Sequence, residues 1–311
     1  MPKWNDDDAL LRAVASGLLL VLWAGSARGL AQETYDLSSK ETVQRRLDGY
    51  KGDDTKREGV LKELFREAGC GGDHLTEQAV RTRKQPNVIC VLPGSTADVI
   101  VVGGHFDHVV EGNGIVDNWS GASLLPSLYE ALARVPRKHT YVFLGFTGEE
   151  AGLVGSEFYV NNLSPEEIGK IEVMVNLDTL GLGPTKVWVK QSDPLLLGVL
   201  WKVSEKVKAP LASMEIGTLG ESDEESFIGR GVCTVVVHSL TGETVHVLHT
   251  RADNPQAIRF ADLYETYRLL AAYLAVLDTL AIPEPHVCTT QPVAMYRGGR
   301  VRRGEAAGKG R

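Results

Sequence analysis

The sequence predicts an α/β protein built around a largely parallel sheet that helices cover on both sides. Short apolar runs rich in Val and Ile recur along the chain, and several are apolar on both faces, as strands buried in a parallel sheet must be. Helical patterns alternate with them, which favours a parallel sheet between helix layers. The runs lie at residues 87–92, 99–102, 140–146, 171–177, 186–189 and 232–237, and the helical stretches at 120–134, 194–206 and 255–280.

The segment before the first run is also helical. Residues 38–69 have the pattern of two amphipathic helices with a break near Gly52, and Asp54 is a candidate cap for the second. The 311 residues are enough to bury a sizeable core. A formal net charge of −7 argues against a nucleic-acid partner, and neither a Walker-type loop nor a dinucleotide fingerprint is evident.

The N-terminus predicts export. Residues 13–25 form an apolar stretch too short for a comfortable transmembrane span, and Gly29-Leu30-Ala31 resembles a signal-peptidase site before Gln32. An uncleaved membrane anchor and a buried helix are the alternatives. We therefore expect a signal peptide or anchor at 1–31 in a secreted or periplasmic protein, a single catalytic domain at 32–285, and a Gly- and Arg-rich disordered tail at 286–311.

The four cysteines form no Cys-x-x-Cys motif for zinc or redox chemistry, and export permits disulfides. Cys70 ends a predicted helix and Cys90 lies in the first apolar run, so we expect these two to be bonded. Cys233 lies inside an apolar run, and we expect it to be a small buried hydrophobe.

Histidines and carboxylates follow several apolar runs at the point where each predicted strand ends. Ligands of open α/β sheets bind at this carboxyl edge, so the repetition predicts a site there. The residues are His105 and Asp107 after 99–102, Glu149 and Glu150 after 140–146, Asp178 after 171–177, His249 in the region after 232–237, and Asp117 before the helix near Ser120.

These residue types suit zinc, because imidazole and carboxylate are its ordinary ligands. Five ligands (His105, Asp117, Glu150, Asp178 and His249) are too many for one tetrahedral catalytic site. They suit two ions that share one carboxylate, roughly 3.5–4 Å apart, with a water between them as the nucleophile. A further carboxylate must then accept a proton, and the adjacent glutamates can supply a ligand and a base.

Some of these residues also have a structural rather than a functional interpretation, and the spacing or burial of others favours a role in the site. Asp117 is a possible helix cap, and the Glu149-Glu150 pair is a possible exposed helix start. Asp107 is well spaced to orient His105, as metal-binding histidines usually require. Asp178 ends an apolar strand, where a carboxylate without a partner would be costly.

The motifs together resemble the secreted di-zinc aminopeptidase family, whose relatives include glutamate carboxypeptidases, the transferrin receptor ectodomain and glutaminyl cyclases. The resemblance spans roughly 150 residues. The matching stretches are GGHFDH (103–108), VDNWSGAS (116–123), FTGEEAGLVGS (146–156), NLDTLG (176–181), SDEESF (222–227) and LHTRAD (248–253).

The resemblance implies a three-layer α/β/α sandwich with a mixed, centrally parallel sheet. It also implies that His105 and Asp178 bind one zinc, that Glu150 and His249 bind the other, and that Asp117 bridges the two. Glu149 would be the general base and Asp107 would orient His105. The peptide bond between Asp117 and Asn118 would be cis, as in relatives.

One position departs from the family pattern. Many relatives carry a Tyr that helps to hold the oxyanion just before the last histidine, and here that position is Leu248. His246 is a candidate substitute.

The leading functional hypothesis is a zinc-dependent exopeptidase that removes N-terminal residues from peptides. A glutaminyl cyclase-like acyltransferase would use one zinc and lack part of the ligand set, and a binding ectodomain would have lost ligands. A carboxypeptidase remains open, whereas a serine hydrolase lacks its Gly-x-Ser-x-Gly elbow. We expect a peptide substrate, no nucleic acid and no stable protein partner.

Overall fold

The computed structural model describes residues 35–215, 222–282 and 286–290. Within these ranges the strands are β1 Leu75–Gln78, β2 Asn87–Leu92, β3 Val99–His105, β4 Thr140–Phe146, β5 Ile171–Leu177, β6 Thr185–Val187, β7 Leu211–Ser213 and β8 Thr234–His238. They form one sheet in the order β1-β2-β4-β3-β5-β8-β6-β7. The strands run parallel from β4 through β3 and β5 to β8, and antiparallel pairs join this centre to β2 and to β6. The mixed, centrally parallel sheet is therefore confirmed.

Helices lie on both faces of this sheet. Among the described residues they are α1 Lys40–Leu47, α2 Asp54–Glu67, α3 Ser120–Ala122, α4 Leu125–Ala133, α5 Val154–Asn161, α6 Pro165–Gly169, α7 Pro194–Val207, α8 Glu224–Ile228 and α9 Phe260–Thr279. Alternate strand residues face opposite layers: Ile100 and Val102 belong to the larger apolar cluster and Val101 to the smaller. The larger cluster includes α1, α2, α4, α7 and α9, and the smaller includes α5 and α8. These layers make the predicted α/β/α sandwich.

Most predicted elements are present, with shifted boundaries. The last apolar run becomes a strand from Thr234, two residues later than predicted. The final helix begins at Phe260, after a short 3-10 turn at Pro255–Ala257. The cap of α2 is Asp53 rather than Asp54, because the Asp53 side chain accepts a hydrogen bond of 2.9 Å from the Lys56 main chain.

Two disulfides cross-link the described residues. Cys70 and Cys90 are bonded as predicted, with 6.3 Å between their Cα atoms. The interpretation of Cys233 as a plain buried hydrophobe is wrong, since it is bonded to Cys288 at a Cα separation of 5.1 Å. Its partner lies 55 residues away in the segment predicted as a tail, where neither periodicity nor an apolar run indicated a contact.

Some of the predicted segments lie outside the described residues. They include the apolar stretch at 13–25 and the signal-peptidase site before Gln32, as well as residues 291–311 of the expected tail. Among the helices that are described, none combines the length and the apolar character needed to cross a membrane.

Candidate metal centre

Three adjacent parallel strands deliver side chains to one edge of the sheet. His105 is the last residue of β3, and Asp178 directly follows β5. Glu149 and Glu150 follow β4 after a turn at Gly148, whose φ of 72° favours glycine. Because β4, β3 and β5 are neighbours, these side chains meet at the carboxyl edge, as the sequence predicted.

Asp117 reaches the same point from the loop between β3 and α3, and Asp253 fixes that loop. The Asp253 carboxylate accepts hydrogen bonds from the main-chain N–H groups of Ile115, Val116 and Asp117, at 2.9, 2.8 and 3.1 Å. Asp253 itself lies four residues after His249, so it ties the two ligand-bearing loops together. The peptide bond between Asp117 and Asn118 is cis, which confirms that prediction.

The neighbouring Asn118 connects this loop to the end of β5. Its side-chain amide donates to the carbonyl of Leu177 at 2.8 Å. Its side-chain oxygen accepts from the main-chain N–H groups of Gly121 and Thr179, at 3.0 and 3.1 Å. The positions of Asp117 and Asp178 are therefore linked through one buried amide.

The five predicted ligands form two sets that share Asp117. One oxygen of Asp117 lies 3.3 Å from His105 Nε2, and the other lies 3.2 Å from His249 Nε2. Asp178 Oδ1 lies 3.7 Å from His105 Nε2, and Glu150 Oε2 lies 2.9 Å from His249 Nε2. In each set of three residues, one ligand atom of each residue lies within 4.8 Å of a ligand atom of each of the other two. The carboxylate expected to bridge is thus the one common to both sets.

The buried His105 ring shows that this donor set fits a cation. Its Nδ1 lies 3.2 Å from the main-chain oxygen of Asp107. A carbonyl can only accept, so Nδ1 carries a proton, and Nε2 presents its lone pair to the centre whenever it does not carry a second proton. Nε2 is buried without a hydrogen-bond partner and faces oxygens of Asp117 and Asp178. A lone pair facing two carboxylates away from water is unfavourable unless a cation lies between them.

The pKa shifts reflect the same excess of negative charge. Burial, and then the charges of Asp178, Asp223 and Asp117, raise the pKa of Glu149 well above its ordinary value. Burial and the charge of Asp117 raise the pKa of Glu150 to about 7. Nitrogen and oxygen donors in a site with this many carboxylates match the preferences of zinc.

The Asp107 side chain holds the Glu149-Glu150 turn, and it is not hydrogen-bonded to the His105 ring that the sequence predicted it to orient. Its carboxylate oxygens accept hydrogen bonds from the main-chain N–H groups of Glu149 and Glu150, at 3.1 and 3.3 Å. The carboxylate lies 3.7 Å from His105 Nδ1, which is beyond a hydrogen bond, and the main-chain oxygen of Asp107 orients the ring instead. The side chain therefore positions the glutamate turn.

Several supporting residues were missed at the sequence level. Ser222 donates to Asp178 Oδ2 at 2.6 Å and accepts from Asn176 at 2.9 Å, so it orients a candidate ligand. Buried Asp223 has no hydrogen-bond partner for either oxygen among the described residues, and burial raises its pKa to about 7. Ser222 and Asp223 open the SDEESF motif and Asp253 ends LHTRAD, so the motifs contained the signal.

A cavity of about 300 Å³ opens onto the centre. Its polar side is made by the carboxylates and His249, and its other side is largely apolar. Trp188, Val236, Leu240 and Leu248 contribute to that apolar wall. His246, the candidate substitute for the missing Tyr, is exposed and does not line the cavity, so the structure does not support that hypothesis.

Comparison with known proteins identifies the family. The model of Peptidase family M28 matches residues 87–274, which is more than half of the chain. The chain belongs to Peptidase family M28. An aminopeptidase of Pseudomonas aeruginosa is 40% identical over 110 residues, 35% of this chain and 20% of that protein. Aminopeptidase YwaD of Bacillus subtilis is 28% identical over 229 residues, 71% of this chain and 48% of YwaD. The M28 chain thus spans half or less of these relatives.

Solved structures agree with the M28 assignment. BSAP, described as a zinc aminopeptidase from Bacillus subtilis, is 27% identical with a TM-score of 0.56, over 61% of this chain and 49% of that one. A glutaminyl cyclase from an Acidobacteriales bacterium has a TM-score of 0.65 at 17% identity, over 82% of this chain and 99% of that one. The second similarity concerns the fold alone.

Proposed function

We propose that this M28 chain is a zinc-dependent aminopeptidase that hydrolyses N-terminal residues from peptides with two zinc ions. The observation that carries the proposal is the geometry of Asp117, whose two oxygens each face a different histidine within two ligand sets. The similarity to proteins named as aminopeptidases supports the same activity.

Under this proposal His105 and Asp178 bind one ion, Glu150 and His249 bind the other, and Asp117 binds both. Zinc at such positions supplies Lewis acidity, which makes water more acidic and polarises the peptide carbonyl. The protein contributes fixed ligands, because Asp253 and Asn118 hold the Asp117 loop and Ser222 holds Asp178.

Glu149 acts as the general base in this proposal. It lines the cavity beside the two ligand sets, and its Oε2 lies 3.8 Å from His105 Nε2. From there its carboxylate accepts a proton from the attacking water and returns it to the leaving amine. Asp107 keeps the Glu149 main chain in place through the hydrogen bond at 3.1 Å.

The charge of the cavity favours the amino end of a peptide over the carboxyl end. Four carboxylates line it (Asp117, Glu149, Glu150 and Asp178), and no Lys or Arg is among its described lining residues. Two zinc ions would offset the charges of their own ligands, so this described lining leaves the Glu149 carboxylate to attract a free α-ammonium group and offers a terminal carboxylate no Lys or Arg to pair with. This argument ranks the aminopeptidase above the carboxypeptidase.

The second candidate is a glutaminyl cyclase-like acyltransferase, which the similar fold of the Acidobacteriales enzyme favours. The presence of His105 and Asp178 argues against this acyltransferase, because an enzyme with one zinc does not require a second set of ligands. The two activities differ in their products: an aminopeptidase releases a residue, and a cyclase releases ammonia while closing a ring.

A substrate panel separates these possibilities. The purified protein is assayed on aminoacyl-nitroanilides, N-blocked peptides and N-terminal glutaminyl peptides, with and without a chelator. Cleavage confined to free-amine substrates, abolished by chelation and restored by zinc, is the expected result. Cleavage of N-blocked peptides from the carboxyl end, or ring closure without cleavage, would contradict the proposal.

We also propose export to the periplasm or medium. The apolar stretch at residues 13–25 and the two disulfides, Cys70–Cys90 and Cys233–Cys288, support an oxidising compartment. N-terminal sequencing of the protein recovered outside the cytoplasm should give a chain that begins at Gln32. Recovery of the full-length chain from the cytoplasm alone would contradict export.

A further inference from the structure

A second group of metal-binding side chains lies at the opposite end of the strands that carry the candidate metal centre. Asp98 directly precedes β3, His139 directly precedes β4, and Glu172 is the second residue of β5. One ligand atom of each lies within 4.8 Å of those of the other two. The three strands are adjacent and parallel, so their amino ends meet at one edge.

We propose that Asp98, His139 and Glu172 bind a divalent cation of the zinc class at this amino edge. The site is separate from the candidate metal centre, because a strand of seven residues such as β3 is about 23 Å long. Nothing in the proposed peptidase mechanism uses these residues, and the proposal does not depend on that mechanism.

The His139 ring is the observation that points to a ligand. It is completely buried, yet neither ring nitrogen has a hydrogen-bond partner in acceptable geometry within the part of the chain that the structure describes. Its Nε2 nevertheless lies 3.1 Å from Glu172 Oε2. Two ligands bound to one tetrahedral zinc at about 2.0–2.1 Å lie about 3.3 Å apart, close to this separation. Proximity without a hydrogen bond is the arrangement that two ligands of one ion adopt.

A carboxylate lies beside the other ring nitrogen of His139, where it could orient the ring once an ion is bound. Asp278 Oδ1, from α9, lies 3.4 Å from His139 Nδ1. The Asp278 carboxylate is itself fixed, since it accepts hydrogen bonds from the main-chain N–H groups of Lys138 and His139, at 2.9–3.0 Å. A carboxylate behind the ring directs the opposite nitrogen toward an ion and increases its basicity.

The charges of the cluster also call for a cation. Three carboxylates (Asp98, Glu172 and Asp278) surround one imidazole. The Asp98 carboxylate has no hydrogen bond or ion pair with another described residue. Nearby Lys170 is an exposed residue already paired with Glu166 at 2.7 Å. Even a protonated imidazole together with the nearby charge of Lys138 would leave the three carboxylates with a net charge of −1, which favours a further cation.

The alternative is an imidazolium held between Glu172 and Asp278 without any metal. Burial opposes that charge on His139, but Asp278 and Glu172 raise the pKa of the ring above its ordinary value, so the alternative is physically reasonable. The two interpretations differ at Asp98. A metal uses the Asp98 carboxylate as a ligand, whereas an ion pair between the other residues does not need it.

The test is a zinc count on the full-length protein. Wild type, Asp98→Asn and Glu172→Gln are freed of metal with a chelator, supplied with zinc, dialysed, and measured by mass spectrometry of the metal. Each variant should hold one zinc per chain less than wild type, because loss of a carboxylate ligand weakens binding by at least about 100-fold. Asp73→Asn is the matched control, since it removes the same charge from an exposed turn, and it should hold as much zinc as wild type.

The count separates this site from the candidate metal centre. His249→Ala should reduce zinc at the centre only, so combining it with Asp98→Asn should add the two losses. Equal zinc in wild type, Asp98→Asn and Glu172→Gln would overturn the proposal and favour the ion pair, whatever the peptidase centre holds. Anomalous diffraction at the zinc edge is an independent test. An anomalous peak beside His139 supports the site, and its absence in zinc-soaked crystals excludes the site.

Discussion

Two adjacent carboxylates have different surroundings in the candidate centre. Glu150 Oε2 lies 2.9 Å from His249 Nε2, whereas Glu149 Oε2 lies 3.8 Å from His105 Nε2. Both main-chain N–H groups donate to Asp107, so one carboxylate fixes the turn that separates the two side chains. Residue types alone left open which glutamate is the base, and the family resemblance assigned it. The contact of Glu150 with His249 is consistent with that assignment.

The first prediction separates base from ligand. Glu149→Gln keeps the size and hydrogen bonding of the side chain but removes its basic oxygen. Turnover should therefore fall by roughly 10²–10⁴-fold while zinc content stays unchanged. Glu150→Gln should lose zinc along with activity, because an amide is a poor zinc ligand. Steady-state kinetics and metal analysis on both variants check this, and zinc loss in Glu149→Gln with retention in Glu150→Gln would reverse the roles.

The second prediction concerns Asp253, which is not expected to touch metal or substrate. Asp253→Asn keeps one acceptor oxygen, which can still serve the N–H groups of Ile115 and Val116, but it places an NH₂ donor against the N–H group of Asp117. The free energy of unfolding should fall by about 1–3 kcal/mol. Zinc affinity should fall too, because the Asp117 loop loses its fixed position. Urea denaturation and zinc titration measure the two effects, with Asp73→Asn as control. Unchanged zinc affinity would mean that Asp253 serves stability alone.

At the scale of elements, the sequence predicted the central strands well and the short pieces poorly. β4 and β5 are buried apolar runs of seven residues, so composition identifies them. β1 and β7 are partly exposed edge strands of four and three residues, and they carry no apolar alternation. α6 and α8 have five residues each, too few to show a helical period.

The loop between β3 and Asp117 also depends on a contact that the sequence did not indicate. Arg57 of α2 is completely buried and donates hydrogen bonds to the carbonyls of Tyr50, Phe106, Asn113 and Gly114. Burial lowers the pKa of its guanidinium to about 10, a value at which it is still charged at neutral pH. From the sequence, Arg57 would be assigned to the exposed face of an amphipathic helix. Its hydrogen-bond partners are main-chain carbonyls, which no pattern of residue types reveals.

The third prediction tests this contact. Arg57→Lys keeps the charge but replaces a planar group with five N–H donors by an ammonium that cannot reach carbonyls on several sides. The free energy of unfolding should fall by about 2–4 kcal/mol, because buried carbonyls lose their donors. Denaturation midpoints measure it. Arg45→Lys, at an exposed surface pair with Glu67, is the matched control and should change little. If the Arg57→Lys and Arg45→Lys proteins were equally stable, the hydrogen bonds of Arg57 would not stabilise this loop.

At the scale of the whole molecule, the two disulfides join segments that the sheet alone does not connect. Cys70–Cys90 fastens the end of α2 to β2, and Cys233–Cys288 fastens the segment after α9 to the residue just before β8. The first was predictable because Cys70 follows a recognisable helix and Cys90 lies inside a recognisable strand. The second was not, because Cys288 lies in a stretch without periodicity, beyond the last helix.

The fourth prediction ranks these cross-links. The Cys233–Cys288 bond closes a loop with a sequence separation of 55, against 20 for Cys70–Cys90. In the chain-entropy account, replacing both members by Ser should cost about 4 kcal/mol for the longer loop and about 3 kcal/mol for the shorter. Urea denaturation of the two double-Ser variants under non-reducing conditions measures this. A larger loss in the Cys70→Ser/Cys90→Ser protein would show that strain or packing outweighs loop length.

The spread of the candidate ligands along the chain has a consequence for how the protein is made. His105, in β3, and His249, near the start of the final helix, belong to sets that share Asp117. A nascent chain therefore cannot assemble both sets until residue 249 has left the ribosome and β8 has joined the sheet. If the proposed two-zinc centre is the active one, a chain interrupted before residue 249 lacks one ligand and should stay inactive. On that proposal, hydrolysis of peptides would begin only after the last ligand has reached the centre.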